Sequence, residues 1–206
     1  MAKALVVGLT GSIGSGKSSV CKVFLSRGYV VVDADKLAKK VVEKGSQTLS
    51  VLAEKFGSDV LNDDGTLNRK ILAQKAFSSK ENTNLLNCIT HPAILALVKK
   101  EIEENAENGN TKIIYDAPQL FESGSDALCS KVVCVIAKKE LRIERVRKRD
   151  NMSYADIENR ISVQFSDEFF TEKSDYIIEN NDSLEKLVVR ANEVIDEIEK
   201  VYNGSL

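Results

Sequence analysis

Five short stretches of the chain are apolar without interruption, and longer stretches between them are apolar only every third or fourth position. Leu5 to Leu9 is the first such run, rich in β-branched residues, and Tyr29 to Val32 is the second. Lys112 to Tyr115 and Lys131 to Ala137 have the same character, and Tyr176 to Ile178 is a shorter fifth. Runs of this length predict strands buried on both faces, which is how strands of a parallel sheet read. Helical spacing follows the first run from Lys17 to about Arg27, with Val20, Val23 and Phe24 on one side and Gly28 just past the end, where helices commonly stop. Ser183 to Tyr202 repeats the pattern with Leu184, Leu187, Val188, Ala191 and Ile195.

Almost eighty residues separate the second and third runs, and their periodicity is helical. Leu49, Leu52, Ala53 and Phe56 form one stripe, and Ile71, Leu72 and Ala76 another, with a turn signal at Asp63-Asp64-Gly65-Thr66 between them. Leu85, Leu86 and Ile89 lead into His91-Pro92. A second helical block, Glu140 to about Glu172, lies between the fourth and fifth runs. Strands alternating with helices predict an α/β fold, a parallel five-stranded sheet with helices on both faces. The expected organisation is a single domain. Residues 1–35, 111–138 and 174–206 form its core, 36–110 a helical substrate-binding insert and 139–173 a lid. Such an insert would cover the sheet's carboxyl edge, where open α/β sheets bind their substrates.

Composition narrows the class without naming a chemistry. The 206 residues carry 29 basic and 31 acidic side chains for a net charge of −2, so nothing overall attracts nucleic acid or an acidic membrane surface. Cys21, Cys88, Cys129 and Cys134 form no CxxC pair and no metal-ligand spacing with His91, the sole histidine. Free thiols in a reducing cytosol are the expectation. No signal-peptide core or apolar membrane span is read, and a cytoplasmic protein is expected.

Chemistry enters at Gly11-Ser12-Ile13-Gly14-Ser15-Gly16-Lys17-Ser18, a full match to G-x-x-x-x-G-K-[ST] between a strand and a helix. Glycines allow the tight turn that aims successive N–H groups at phosphate oxygens, and the following helix adds its positive end. Gly11, Gly14, Ser15, Gly16, Lys17, Ser18 and Ser19 are therefore the expected nucleotide-binding residues. Lys17 would reach the β- and γ-phosphates, and the Ser18 hydroxyl would bind Mg²⁺. A GTPase would add Asn-Lys-x-Asp, whereas the nearest sequence here is Glu172-Lys173-Ser174-Asp175. A small-molecule kinase needs arginines over the transferring phosphoryl group. Arg142, Arg145, Arg147 and Arg149 supply them, with Arg145 and Arg149 one helical turn apart. Asp33, at a strand end, is the expected general base. Asp35 reads equally as a helix N-cap. Asp116, ending the third strand, is the candidate to orient Mg²⁺ through water.

The order and spacing of several segments resemble the dephospho-coenzyme A kinase family along essentially the whole chain. They are Gly8 to Ser18, Asp33-Ala34-Asp35, Leu67-Asn68-Arg69, His91-Pro92, Asp116 to Glu122, Arg145 to Asp150, Gln164, and Asp175 to Ile178 with Asn180. The resemblance implies phosphorylation of the ribose 3′-hydroxyl of dephospho-coenzyme A by MgATP. Asp33 would be the base, Arg145 a catalytic lid residue, and Asp35, Arg69 and His91 would face the acceptor. His91 reads equally as a helix-boundary residue before Pro92. Ser12, Ser19 and Gln119 stand where the family commonly has Gly, Thr and Leu, and Ser12 tests the loop's geometry. Other readings are a nucleoside monophosphate or shikimate kinase, or a nucleotide-binding regulator without catalysis. The implied partners are ATP and dephospho-coenzyme A, with no nucleic acid and no membrane, in a monomer or homo-oligomer.

Overall fold

A computed structural model describes residues 4–204. Five strands alternate with nine helices among them: β1 (Leu5–Gly11), α1 (Lys17–Ser26), β2 (Val30–Asp33), α2 (Ala34–Val41), α3 (Gln47–Phe56), α4 (Arg69–Ala76), α5 (Lys80–Glu107), β3 (Lys112–Asp116), β4 (Lys131–Ile136), α6 (Lys139–Asp150), α7 (Tyr154–Ser162), α8 (Asp167–Lys173), β5 (Tyr176–Glu179) and α9 (Leu184–Asn203). The sheet order is β2-β3-β1-β4-β5. Every residue of β1 is buried, as expected for the middle strand of a parallel sheet covered on both faces.

Register places the strand ends. β1 runs parallel to β3 with Leu9 opposite Asp116, and parallel to β4 with Gly11 opposite Val135. β5 follows β4 with Ile136 opposite Glu179. The chain leaves β1 toward the β2 side of the sheet and leaves β4 toward β5. A crevice therefore opens at the carboxyl ends of β1 and β4.

The chain divides into two compact units. One runs to Val32 and resumes at Glu104; the other is Asp33–Glu103. The first is built on the sheet. Val7, Leu9, Ile114, Val133 and Val135 pack with Val20 and Phe24 of α1 and with Leu187, Ala191 and Ile195 of α9. Burying each such side chain contributes about 1.5–3 kcal/mol, which is what holds the helices on the strands. Arg27, which caps α1, reaches Asn192 (3.1 Å) and Asp196 (2.6 Å) of α9.

The second unit has its own core of Val41, Leu52, Phe56, Val60, Leu72 and Ala76, lined by Leu85, Leu86, Ile89, Ala93, Ile94 and Leu97. Side chains start its helices where the sequence offers caps: Ser46 accepts from Leu49 N–H (3.1 Å), and Asn68 from Ile71 N–H (3.2 Å). The turn at residues 63–66 forms as expected, with Asp64 accepting from Thr66 N–H (2.9 Å). His91 marks no boundary. α5 continues through Pro92, although proline removes one ladder hydrogen bond and crowds the preceding turn. Apolar residues on both sides of Pro92 face the same core, and their burial outweighs that local cost. No helix among the described residues is long and apolar enough to cross a membrane.

Candidate active site

The loop after β1 is built as its spacing demands. Gly14 (φ +77°) and Gly16 (φ +101°) adopt backbone that side chains disfavour. A Cβ on Gly14 would lie 2.6 Å from the Arg142 carbonyl oxygen, and one on Gly16 would lie 2.2 Å from Asn180 Nδ2. Ser12, which departs from the family's glycine, does not need that freedom. Among the described residues Asn151 alone takes positive φ without being glycine. Ser12 is buried and its hydroxyl lies 3.5 Å from Asp167 Oδ1. Ser15 N–H turns back to the Ser12 carbonyl (3.0 Å). Gly16 is the N-cap of α1, so Lys17 and Ser18 begin the helix with N–H groups that its ladder cannot use. Those donors and the helix's positive end are the physical basis of an anion site. Ser19 follows them in the first turn, its N–H donating to the Gly16 carbonyl (2.9 Å).

Charge at the loop is balanced by one strand end. The Lys17 ammonium is ion-paired with Asp116, both side chains being mostly buried. The register explains the meeting: Asp116 sits opposite Leu9, and Ala117 N–H donates to the Leu9 carbonyl (3.0 Å). The end of β3 is thus held beside the start of the loop. A carboxylate and a hydroxyl, Asp116 and Ser18, are hard oxygen donors of the kind Mg²⁺ takes when phosphates supply other positions.

The arginines of α6 do not act as one cationic face. Arg142 is buried and pairs with Asp167 at the start of α8 (3.6 Å). Arg145 Nη2 donates to the Asn180 carbonyl (2.9 Å), and its Nη1 lies 3.4 Å from the Gly14 carbonyl. Arg149 is exposed and pairs with its neighbour Asp150 (2.7 Å). Arg145 reaches the loop backbone with its side chain, whereas Arg142 stands behind Gly14 with its main chain.

Two contacts to the loop could not be read from local pattern. Gln164 Oε1 accepts from Ile13 N–H (3.0 Å), and Asn180 Nδ2 donates to the Ser15 carbonyl (2.7 Å). Both residues lie more than 150 positions from their partners in the chain. Their place in the family-like pattern was the only signal. Ile13 itself packs against the small core of Ile143, Val146 and Ile157 on α6 and α7.

The remaining candidates belong to the second unit. Asp33 ends β2 and caps α2, accepting from Lys36 N–H (3.0 Å). The capping role considered for Asp35 therefore falls to Asp33, and Asp35 lies in the first turn, exposed. Arg69 is the exposed first residue of α4. His91 is half-buried inside α5, and burial holds its imidazole below the ordinary value.

Known proteins are similar to this chain over nearly its whole length. A sequence model of dephospho-CoA kinase (CoaE) matches residues 5–186. A dephospho-CoA kinase of Corynebacterium glutamicum is 42% identical over 194 residues, 94% of this chain and 97% of the relative. One from Listeria innocua is 38% identical over 198 residues, 96% of this chain and 98% of the relative. A solved dephospho-CoA kinase from Campylobacter jejuni superposes with a TM-score of 0.71 at 28% identity, covering 98% of both chains. With a phosphate loop, a strand-end acid beside it and a match along nearly the whole length, the chain belongs to the dephospho-CoA kinase family.

Proposed function

We propose that Asp33 is the general base of an ATP-dependent kinase that phosphorylates the ribose 3′-hydroxyl of dephospho-coenzyme A. The transfer yields coenzyme A and ADP, the last step of coenzyme A biosynthesis. The match of the kinase family across residues 5–186 carries the reaction; the position of Asp33 at the carboxyl end of a strand supports its role. There it would accept the proton of the attacking hydroxyl as the oxygen–phosphorus bond forms.

Within the loop, Lys17 and the N–H groups at the start of α1 would hold the β- and γ-phosphates. Phosphate oxygens entering the loop would give the Lys17 ammonium a second anionic partner, leaving the Asp116 carboxylate able to hold a cation with Ser18. Mg²⁺ would serve there, neutralising charge on the phosphates. Arg145 would act catalytically on the transferring phosphoryl group from the 139–173 segment, which would act as the lid. The unit Asp33–Glu103 would hold the acceptor, with Asp35, Arg69 and His91 among its contacts.

Acceptor-dependent ADP release decides the reading. Turnover is expected with dephospho-coenzyme A and not with shikimate or a nucleoside monophosphate; the reverse pattern would overturn it. Asp33→Asn is expected to lower kcat by roughly 10²- to 10⁴-fold while ATP affinity stays within threefold. Undiminished kcat in that variant would remove Asp33 as the base.

A further inference from the structure

The Asn180 side chain is placed by the sheet and spent on the phosphate loop. Its own N–H donates to the Ile136 carbonyl (2.8 Å), adding one rung beyond the paired ends of β4 and β5. From that fixed point the amide runs inward and is only 6% exposed. Nδ2 donates to the Ser15 carbonyl at 2.7 Å. The other end of the amide lies 3.4 Å from Arg145 Nη2, whose stronger bond is to the Asn180 main-chain carbonyl (2.9 Å). Asn180 thus joins the end of β5, helix α6 and the loop.

The grip on the Ser15 carbonyl has a geometric consequence one atom further along. A trans peptide is planar, and its C=O and N–H point in opposite directions. Holding the Ser15 carbonyl toward Asn180 turns the Gly16 N–H the other way. Without that grip the peptide could rotate, and a rotation would bring a carbonyl oxygen, with its negative end, where an N–H had been. Nothing else polar in the Ser15 side chain resists it: the hydroxyl is buried with no hydrogen-bond partner among the described residues. Gly16 is the complementary half of the fit, since a Cβ there would occupy the position of Asn180 Nδ2.

We infer that Asn180 is a positioning residue for ATP, orienting the Ser15–Gly16 peptide so that its N–H faces the phosphates. The inference rests on the kinase reading for the identity of the nucleotide. Two variants separate its parts. Asn180→Asp is nearly isosteric and keeps an acceptor for Arg145, but it turns the donor to Ser15 into an acceptor and brings a negative charge beside the loop. Asn180→Ala removes donor and acceptor alike.

Titration calorimetry with MgATP and no acceptor is expected to show Kd raised about tenfold in each variant, the size of one lost buried hydrogen bond. Steady-state kinetics should show KM for ATP rising in step, with KM for dephospho-coenzyme A within twofold of the parent. In ¹⁵N-labelled protein the Gly16 amide resonance should shift on adding ATP to the parent and shift less in Asn180→Asp. An ATP Kd within twofold of the parent in Asn180→Asp would overturn the inference. So would a parallel rise in both KM values, which marks general loss of fold. Should Asn180→Ala fold poorly, Asn180→Leu, uncharged and of closer volume, takes its place, so that a raised Kd is not the added charge of Asp. Because ATP binding is measured without acceptor, failure of the parent to use dephospho-coenzyme A would count against the kinase reading and leave this test standing.

Discussion

Replacing Gly14 by alanine would expose how tightly the phosphate loop is fitted to α6. Gly14 has φ +77°, and an alanine there is forced into left-handed backbone at a cost of roughly 1–2 kcal/mol. The new Cβ would also stand 2.6 Å from the Arg142 carbonyl oxygen, 3.0 Å from Arg142 Cα and 3.0 Å from Val146 Cγ2. Two of those atoms are helix backbone and cannot step aside by a rotamer change, so a further ~1–3 kcal/mol of overpacking is expected. The sum is about 2–5 kcal/mol. Gly28 provides the control. It too has positive φ (+83°), but a Cβ there meets nothing within 4 Å, so Gly28→Ala should cost only the conformational part, about 1–2 kcal/mol. Thermal melts of the two variants measure the difference. At roughly 2–4 °C per kcal/mol for a chain of this size, Gly14→Ala should melt several degrees below Gly28→Ala, and its ATP Kd should rise while that of Gly28→Ala does not. Equal melting temperatures and equal ATP binding would refute the close packing of loop against α6.

Other outcomes follow from charge and burial. Lys17→Ala is expected to weaken MgATP binding by about ten- to hundredfold, the range of a charge-assisted bond to phosphate, in calorimetry without acceptor; binding unchanged within twofold would contradict the assignment. Among the thiols, Cys88 is exposed, whereas burial pushes Cys129 and Cys134 up to about 12. A thiol reagent at pH 8 should therefore modify Cys88 first, and mass mapping showing Cys134 first would be inconsistent with the fold. His91 contributes a pH dependence whose sign is set by its lowered value: folded His91 binds fewer protons than unfolded. Its contribution to stability is complete above the ordinary imidazole value of 6.5 and is lost as pH falls through the folded value. His91→Gln should flatten the part of a denaturation-versus-pH curve that falls as pH drops below the ordinary imidazole value, and an unchanged slope would count against the buried imidazole.

Much of the architecture was legible because strands and helices bury different repeats. The continuous runs at Leu5, Lys112 and Lys131 became strands within two residues of the expected ends, since a strand buried on both faces leaves no polar position to confuse it. The glycine loop was legible for a local reason as well. Its φ angles and the start of α1 depend on residues that adjoin one another. Pro92 shows the opposite case: its local preference for ending a helix lost to packing from residues on both sides.

The arginines mark the boundary most clearly. Helical spacing alone put Arg142, Arg145 and Arg149 on one side of a helix, but it could not say which would be buried. Arg142 turned inward to Asp167, Arg145 went to the carbonyls of Gly14 and Asn180, and Arg149 stayed in solvent. Local order in the chain determined the phosphate loop, the strands and the caps, because those are set by neighbours within a few residues. The partners of the loop, Asp116, Arg145, Gln164 and Asn180, were decided only by tertiary structure. The register of a parallel sheet and the packing of α6 bring them to Gly11–Ser18 from positions roughly 100 to 165 residues away, and no local pattern encodes that approach.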